Sequence, residues 1–224
     1  MTVLKDLTKE LKHHAPFTAT GAATGIILMV VLVVSGATTA ISRAGFHVFH
    51  PLHVVLSALV TTALYRLHGG RKLWAVALIG YTGSIGIATL SDAIMPFWGG
   101  SLLGVHMHFH LPFIEPHPMP YIGVPVWILI NGAAVIGIVV GSLFPATRLP
   151  HFGHVMLSTW ASLFGFTGFA IGDPNWLPRL PLVFVFLFFA VWIPCCASDI
   201  IYPLLWTKGH GRCTDEHPCH RHRE

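Results

Sequence analysis

The sequence predicts an all-α polytopic membrane protein with six transmembrane helices and both termini cytoplasmic. Three observations predict it. Of 224 residues, 54 % are hydrophobic and only 10 % are charged, far below the about 25 % charged typical of a soluble domain. The charges also avoid the middle of the chain. Between Thr18 and Lys208 the basic residues are Arg43, Arg66, Arg71, Lys72, Arg148 and Arg179, and the acidic ones are Asp92, Glu115, Asp173 and Asp199. The apolar runs between them have the length of a membrane span, which takes about 20 helical residues.

The runs are Thr18 to Ala40, Phe46 to Leu67, Leu73 to Trp98, Tyr121 to Phe144, His151 to Ile171, and Leu180 to Trp206. The first is longer than the apolar part of a cleaved leader and reads as a retained span. With the N-terminus inside, the inner segments hold Lys5, Lys9, Lys12, Arg66, Arg71, Lys72, Arg148, Lys208, Arg212, Arg221 and Arg223. The outer segments hold only Arg43 and Arg179. That asymmetry orients the chain. It also makes the net charge of +4 a topology signal. There is no basic stripe interleaved with aromatics, so nucleic acid is not an expected partner. The expected location is the cell membrane, crossed several times. A narrow core of six short helices also suits a homo-oligomer.

The organisation follows. Residues 1–17 form a cytoplasmic leader, with Leu4, Leu7 and Leu11 on one face of a short amphipathic helix. Residues 18–98 hold the first three spans, 99–120 an external His/Pro-rich loop, 121–206 the last three spans, and 207–224 a cytoplasmic Cys/His-rich tail.

The two three-span halves repeat each other. His50-Pro-Leu-His53-Val-Val-Leu-Ser57 matches His151-Phe-Gly-His154-Val-Met-Leu-Ser158. Ser91-Asp92-Ala-Ile-Met-Pro96 matches Ser198-Asp199-Ile-Ile-Tyr-Pro203. An odd number of spans per unit inserts the second copy upside down, so the expected plan is an inverted repeat.

Histidine is the chemical anomaly, with 16 in the chain. Judged from where the runs begin and end, His50, His53 and Asp92 form one cluster near the outer face. By the same logic His151, His154 and Asp199 form a second near the inner face. Two imidazoles and a carboxylate suit a divalent ion such as Zn, Fe or Ni. A carboxylate inside a membrane also needs a cation or a full set of hydrogen bonds. The external loop adds His106, His108 and His110 at alternate positions, then His117. The tail adds Cys213, His217, Cys219 and His220, two thiols and two imidazoles that also suit Cu. A haem held between two histidines is less natural, because the predicted depths keep His53 and His154 apart.

These features make a divalent transition-metal transporter or channel the expected function. One alternative is a membrane-embedded metal-dependent hydrolase acting on a lipid or other membrane substrate. A second is an accessory membrane protein with structural histidines. No nucleophile elbow or His-Glu-x-x-His pair supports the hydrolase. The expected partners are the bilayer and the metal ion.

Overall fold

The computed structural model describes residues 16, 19–21, 23–28, 30, 31, 34, 39–119, 122–145, 148–171, 178, 180–196 and 202–206. At 148–152, 169–171, 180, 196 and 204 only the backbone is described. Within these residues the protein is a helical bundle. Helix α1 spans Thr39–Leu67 and α2 spans Leu73–Thr89. A π-helical turn, Leu90–Ile94, follows, and α3, Met95–Leu102, continues from it. Helix α4 spans Val126–Leu143, α5 spans Arg148–Phe169, α6 spans Leu180–Cys196 and α7 spans Tyr202–Leu205. Two short strands, His106–Met107 and Ala170–Ile171, pair antiparallel across the loops.

Three helical stretches are long and apolar enough to cross a membrane: Thr39–Leu67, Leu73–Leu102 and Val126–Leu143. Ala19–Leu28 and Pro181–Cys195 are apolar but shorter. Along these apolar stretches Leu78, Val135, Ile136, Val139, Leu182 and Phe189 face outward, a surface that suits lipid.

Helix α1 is the central element, packed against α2, α4 and α5. Glycines set the close approaches. A Cβ on Gly137 would meet the carbonyl oxygen of Val55 at 2.3 Å, and one on Gly141 would meet that of Leu59 at 2.5 Å. This small-xxx-small pair lets α4 lie backbone to backbone on α1, running parallel to it. Helices α2 and α5 both run antiparallel to α1. Gly69, at φ 85°, takes the left-handed conformation that turns the chain from α1 into α2.

The second run begins earlier than its apolar pattern indicates. Helix α1 starts at Thr39, and Ser42, buried at 6 % exposure, and Arg43 are part of it. Arg43 Nε donates to the Gly168 carbonyl at 2.8 Å, which ties the start of α1 to the end of α5. His53 is therefore the fifteenth residue of a 29-residue helix, about 21 Å from its start at about 1.5 Å per residue. The leader at 1–17 and the tail at 207–224 lie outside the described residues, apart from residue 16.

Candidate metal centre

Three residues of α-helix turn about 300°, so His50 and His53 share a face of α1. Asp92 reaches them from the π-helical turn. Such a turn inserts one extra residue, and Pro96 offers no N–H to the Asp92 carbonyl four residues back. Helix α5 closes the other side through His154, Ser158 and Ser162, at four-residue spacing. All these side chains are 0 % exposed.

Asp92 is the hub. Its Oδ2 accepts from His50 Nδ1 at 2.8 Å and from His53 Nδ1 at 2.6 Å. Its Oδ1 accepts from Ser91 Oγ at 2.6 Å, Ser158 Oγ at 3.1 Å and Ser162 Oγ at 3.2 Å. Ser162 Oγ also lies 2.8 Å from the Ser158 carbonyl and 2.9 Å from that of Ser91. A buried carboxylate is tolerable only when its lone pairs are so occupied.

His53 and His154 meet tip to tip. Their Nε2 atoms are 2.7 Å apart and their rings stack at 4.6 Å. His53 Nδ1 donates to Asp92, which leaves Nε2 as the acceptor and makes His154 Nε2 the donor. Cys195 completes the corner, its Sγ donating to Ser158 Oγ at 3.4 Å. Among the described residues two groups bring three ligand atoms within 4.8 Å of one another: His50, His53 and Asp92, and His53, His154 and Cys195. They share His53, so this is one continuous centre.

The donor set fits a divalent transition metal. Imidazole nitrogen and thiolate are ligands of zinc-like ions, and a carboxylate bonded to the far nitrogen of a ligand histidine orients it and raises its basicity. His50 Nε2 is buried without a hydrogen-bond partner among the described residues, an atom with coordinating capacity to spare. A tetrahedral ion holds its nitrogen ligands about 3.3 Å apart. The His53–His154 pair therefore has to open by about 0.6 Å to take one.

This geometry corrects the partition into two clusters. His50, His53 and Asp92 come together as expected, but His154 joins them instead of forming a separate inner set. The error was one of depth. With α1 extended to Thr39, His53 sits mid-helix, level with His154 on the antiparallel α5. The side chain of His151, and Asp199, Cys213, His217, Cys219 and His220, lie outside the described residues. The external histidines stand apart from these two groups. His106, His108 and His117 are exposed, and with His110 they belong to neither chelating group.

His110 instead packs its ring edge to face with Phe46, at 5.1 Å, and Phe46 stacks flat on His50 at 4.9 Å. Burial pushes the His110 pKa down to about 3. This histidine of the loop is therefore neutral at physiological pH. Phe46, 0 % exposed, roofs the centre between them.

Cys195 falls beside the inner set by its place near the end of the sixth run, but its contact with Ser158 did not show in the spacing, and Ser91, Ser158 and Ser162 were not singled out as donors to Asp92. The signal for the serines was present in the His154-x-x-x-Ser158-x-x-x-Ser162 stripe, which is one helix face. Nothing in the sequence marked the π-helical turn.

Gly165 is the position where α5 can come this close, since a Cβ there would lie 2.6 Å from the Asp92 carbonyl oxygen. Gly165→Ala is expected to lower stability by about 1–3 kcal/mol, read as a lower Tm in detergent. Gly132→Ala, inside α4 where a Cβ meets nothing within 4 Å, is the control and should leave Tm unchanged or raise it slightly, since Ala is the better helix former.

No family model matches the chain, and no curated protein and no solved structure matches it either.

Proposed function

We propose that the protein is a six-helix membrane protein that binds a divalent transition-metal ion at this centre and passes it across the bilayer. One observation carries the reading. Three imidazoles, a carboxylate and a thiol converge at no more than 1 % exposure, midway along a membrane-length helix. Packing alone has no use for so many ligand groups at that depth.

The enclosure favours an ion over a larger substrate. A hydrolase acting on a lipid would need an open face at the metal, and Phe46 and α5 cover this one. The inverted repeat is supported by the contact itself. His53 and His154 are the matched residues of the two halves, 101 positions apart, and they touch each other. Residues related by a two-fold axis in the membrane plane meet in this way when they lie on the axis. In this reading the tail and the external histidines capture or buffer the ion on either side.

The accessory-protein reading is favoured by a different observation: the His53–His154 hydrogen bond satisfies both Nε2 atoms within the protein and ties α1 to α5. The two readings separate on metal content. The detergent-purified, untagged chain and a truncation lacking residues 209–224 would be loaded with Zn, Fe or Ni and measured by elemental mass spectrometry. Metal retained at about one ion per truncated chain, with zinc uptake into liposomes only weakened, is the expected result. A truncation that retains no metal after loading overturns the proposal and leaves the structural role.

A further inference from the structure

We propose that the buried hydroxyls of Ser57, Thr89 and Thr61 line a hydrated path by which the ion travels between the centre and the end of the bundle that carries Arg66, Arg71 and Lys72. The proposal rests on the reading of the centre as one that passes an ion.

The hydroxyls are unusual for what they do not do. A serine or threonine on a membrane helix normally donates back to the carbonyl four residues earlier. Thr82 does so at 2.6 Å, Thr159 at 2.9 Å and Thr167 at 3.0 Å. Ser57 Oγ, Thr61 Oγ1 and Thr89 Oγ1 are buried and have no hydrogen-bond partner among the described residues. A buried hydroxyl left unpaired costs about 1–3 kcal/mol. Several in one bundle call for a polar occupant, and ordered water is what native proteins place at such groups.

Their positions form a line. On α1, His50, His53, Ser57 and Thr61 fall within one arc, as the spacing of three, four and four requires. From His53 to Thr61 the line descends about 12 Å. On the antiparallel side, Asp92 bonds His53, and Gly83 faces Thr61 with a built Cβ 2.9 Å from Thr61 Cγ2. That register sets Thr89 between the levels of His53 and Ser57. Beyond Thr61 stands Tyr202, whose ring also borders Gly83 and whose hydroxyl lies 2.6 Å from Thr82 Oγ1. Thr62 Oγ1, also buried and unpartnered, lies on the neighbouring face against Gly80. Hydroxyls and water can replace the shell of a divalent cation at each step without holding it tightly, which is what a path needs and a binding site does not.

The test has two arms. Thr61→Cys and Ala63→Cys, the latter at an equally buried apolar site on the same helix, would be treated with methanethiosulfonate ethylammonium in liposomes. Labelling of each introduced thiol would be read on its own peptide by mass spectrometry, apart from the native cysteines. The expected result is labelling at Thr61→Cys at least tenfold faster than at Ala63→Cys. Equal rates overturn the path, whatever becomes of the transport reading. In the second arm, Ser57→Ala combined with Thr61→Val is expected to lower zinc flux at least tenfold while the metal content of the purified chain stays unchanged. A purely structural hydroxyl predicts the opposite, because replacing an unpaired buried hydroxyl by a methyl is neutral or stabilising. Unchanged flux in that variant overturns the proposal. Absent flux in the unaltered chain overturns the transport reading, and with it the ion's passage along this line.

Discussion

Asp92→Asn is expected to leave the protein folded and to weaken metal binding by about 10- to 100-fold. The amide can turn its oxygen toward His50 and His53 and its NH2 toward the serines. Both imidazole N–H groups then keep an acceptor, Ser91 and Ser158 can turn to accept the two amide hydrogens, and Ser162 keeps the Ser158 carbonyl as its acceptor. The negative charge is what disappears. It raises the basicity of the two histidines and offsets the charge of a bound cation. Asp92→Ala is expected to be far worse. It strands two imidazole N–H groups at 0 % exposure and takes the shared acceptor from Ser91, Ser158 and Ser162, and breaking a buried pair of this kind costs about 3–5 kcal/mol. Competition with a zinc chelator measures the first variant, and size-exclusion profile and Tm in detergent measure the second. Unchanged affinity in Asp92→Asn would show that the carboxylate serves only to tie helices together.

The second large effect concerns His53 and His154. Each alanine substitution is expected to lower zinc affinity at least tenfold, because each removes one ligand of a single ion. The double variant is expected to be little worse than either single one, since ligands of one site are strongly non-additive. Two independent clusters would behave differently. Each single substitution would then abolish one of two ions per chain, and the losses would add. Titration of the four proteins with zinc, read as both affinity and stoichiometry, distinguishes one shared centre from two. Additive losses with two ions in the unaltered chain would refute the shared centre.

Helical periodicity alone was enough to join His50 to His53, and the turn at Arg71-Lys72 made Asp92 their antiparallel neighbour. These three were legible because short-range spacing and a single hairpin decide them. His154 was not, because its level depends on where α1 begins. Arg43 looks like the edge of a loop, yet it is helical and bonded to the Gly168 carbonyl. That contact spans 125 positions, so no local pattern around Arg43 shows that α1 begins before it. Cys195, beside Pro194, read equally as a residue lining a cavity near the inner set and as a small packing residue, because its polar partner, Ser158, comes from another helix. The π-helical turn at Leu90–Ile94 has no signature in composition, and it decides where the Asp92 carboxylate points.

The glycine contacts determine which helix is free to move. Gly137 and Gly141 seat α4 on the carbonyls of Val55 and Leu59, so α1 and α4 behave as one rigid strut. Helix α5 is seated as firmly at only one end, where Gly165 meets the Asp92 carbonyl and a Cβ on Gly168 would lie 3.0 Å from the Arg43 nitrogen. Toward His154 it rests on side chains, with Gly153 facing only the methyl of Leu56. Eleven residues separate Gly165 from His154, a lever of about 16 Å. Parting the two imidazoles by the 0.6 Å or so that an ion requires takes a tilt of only about 2° about that pivot. An ion seated between the two imidazoles would therefore part them with least disturbance from the His154 end, leaving the close contacts at Gly165 in place.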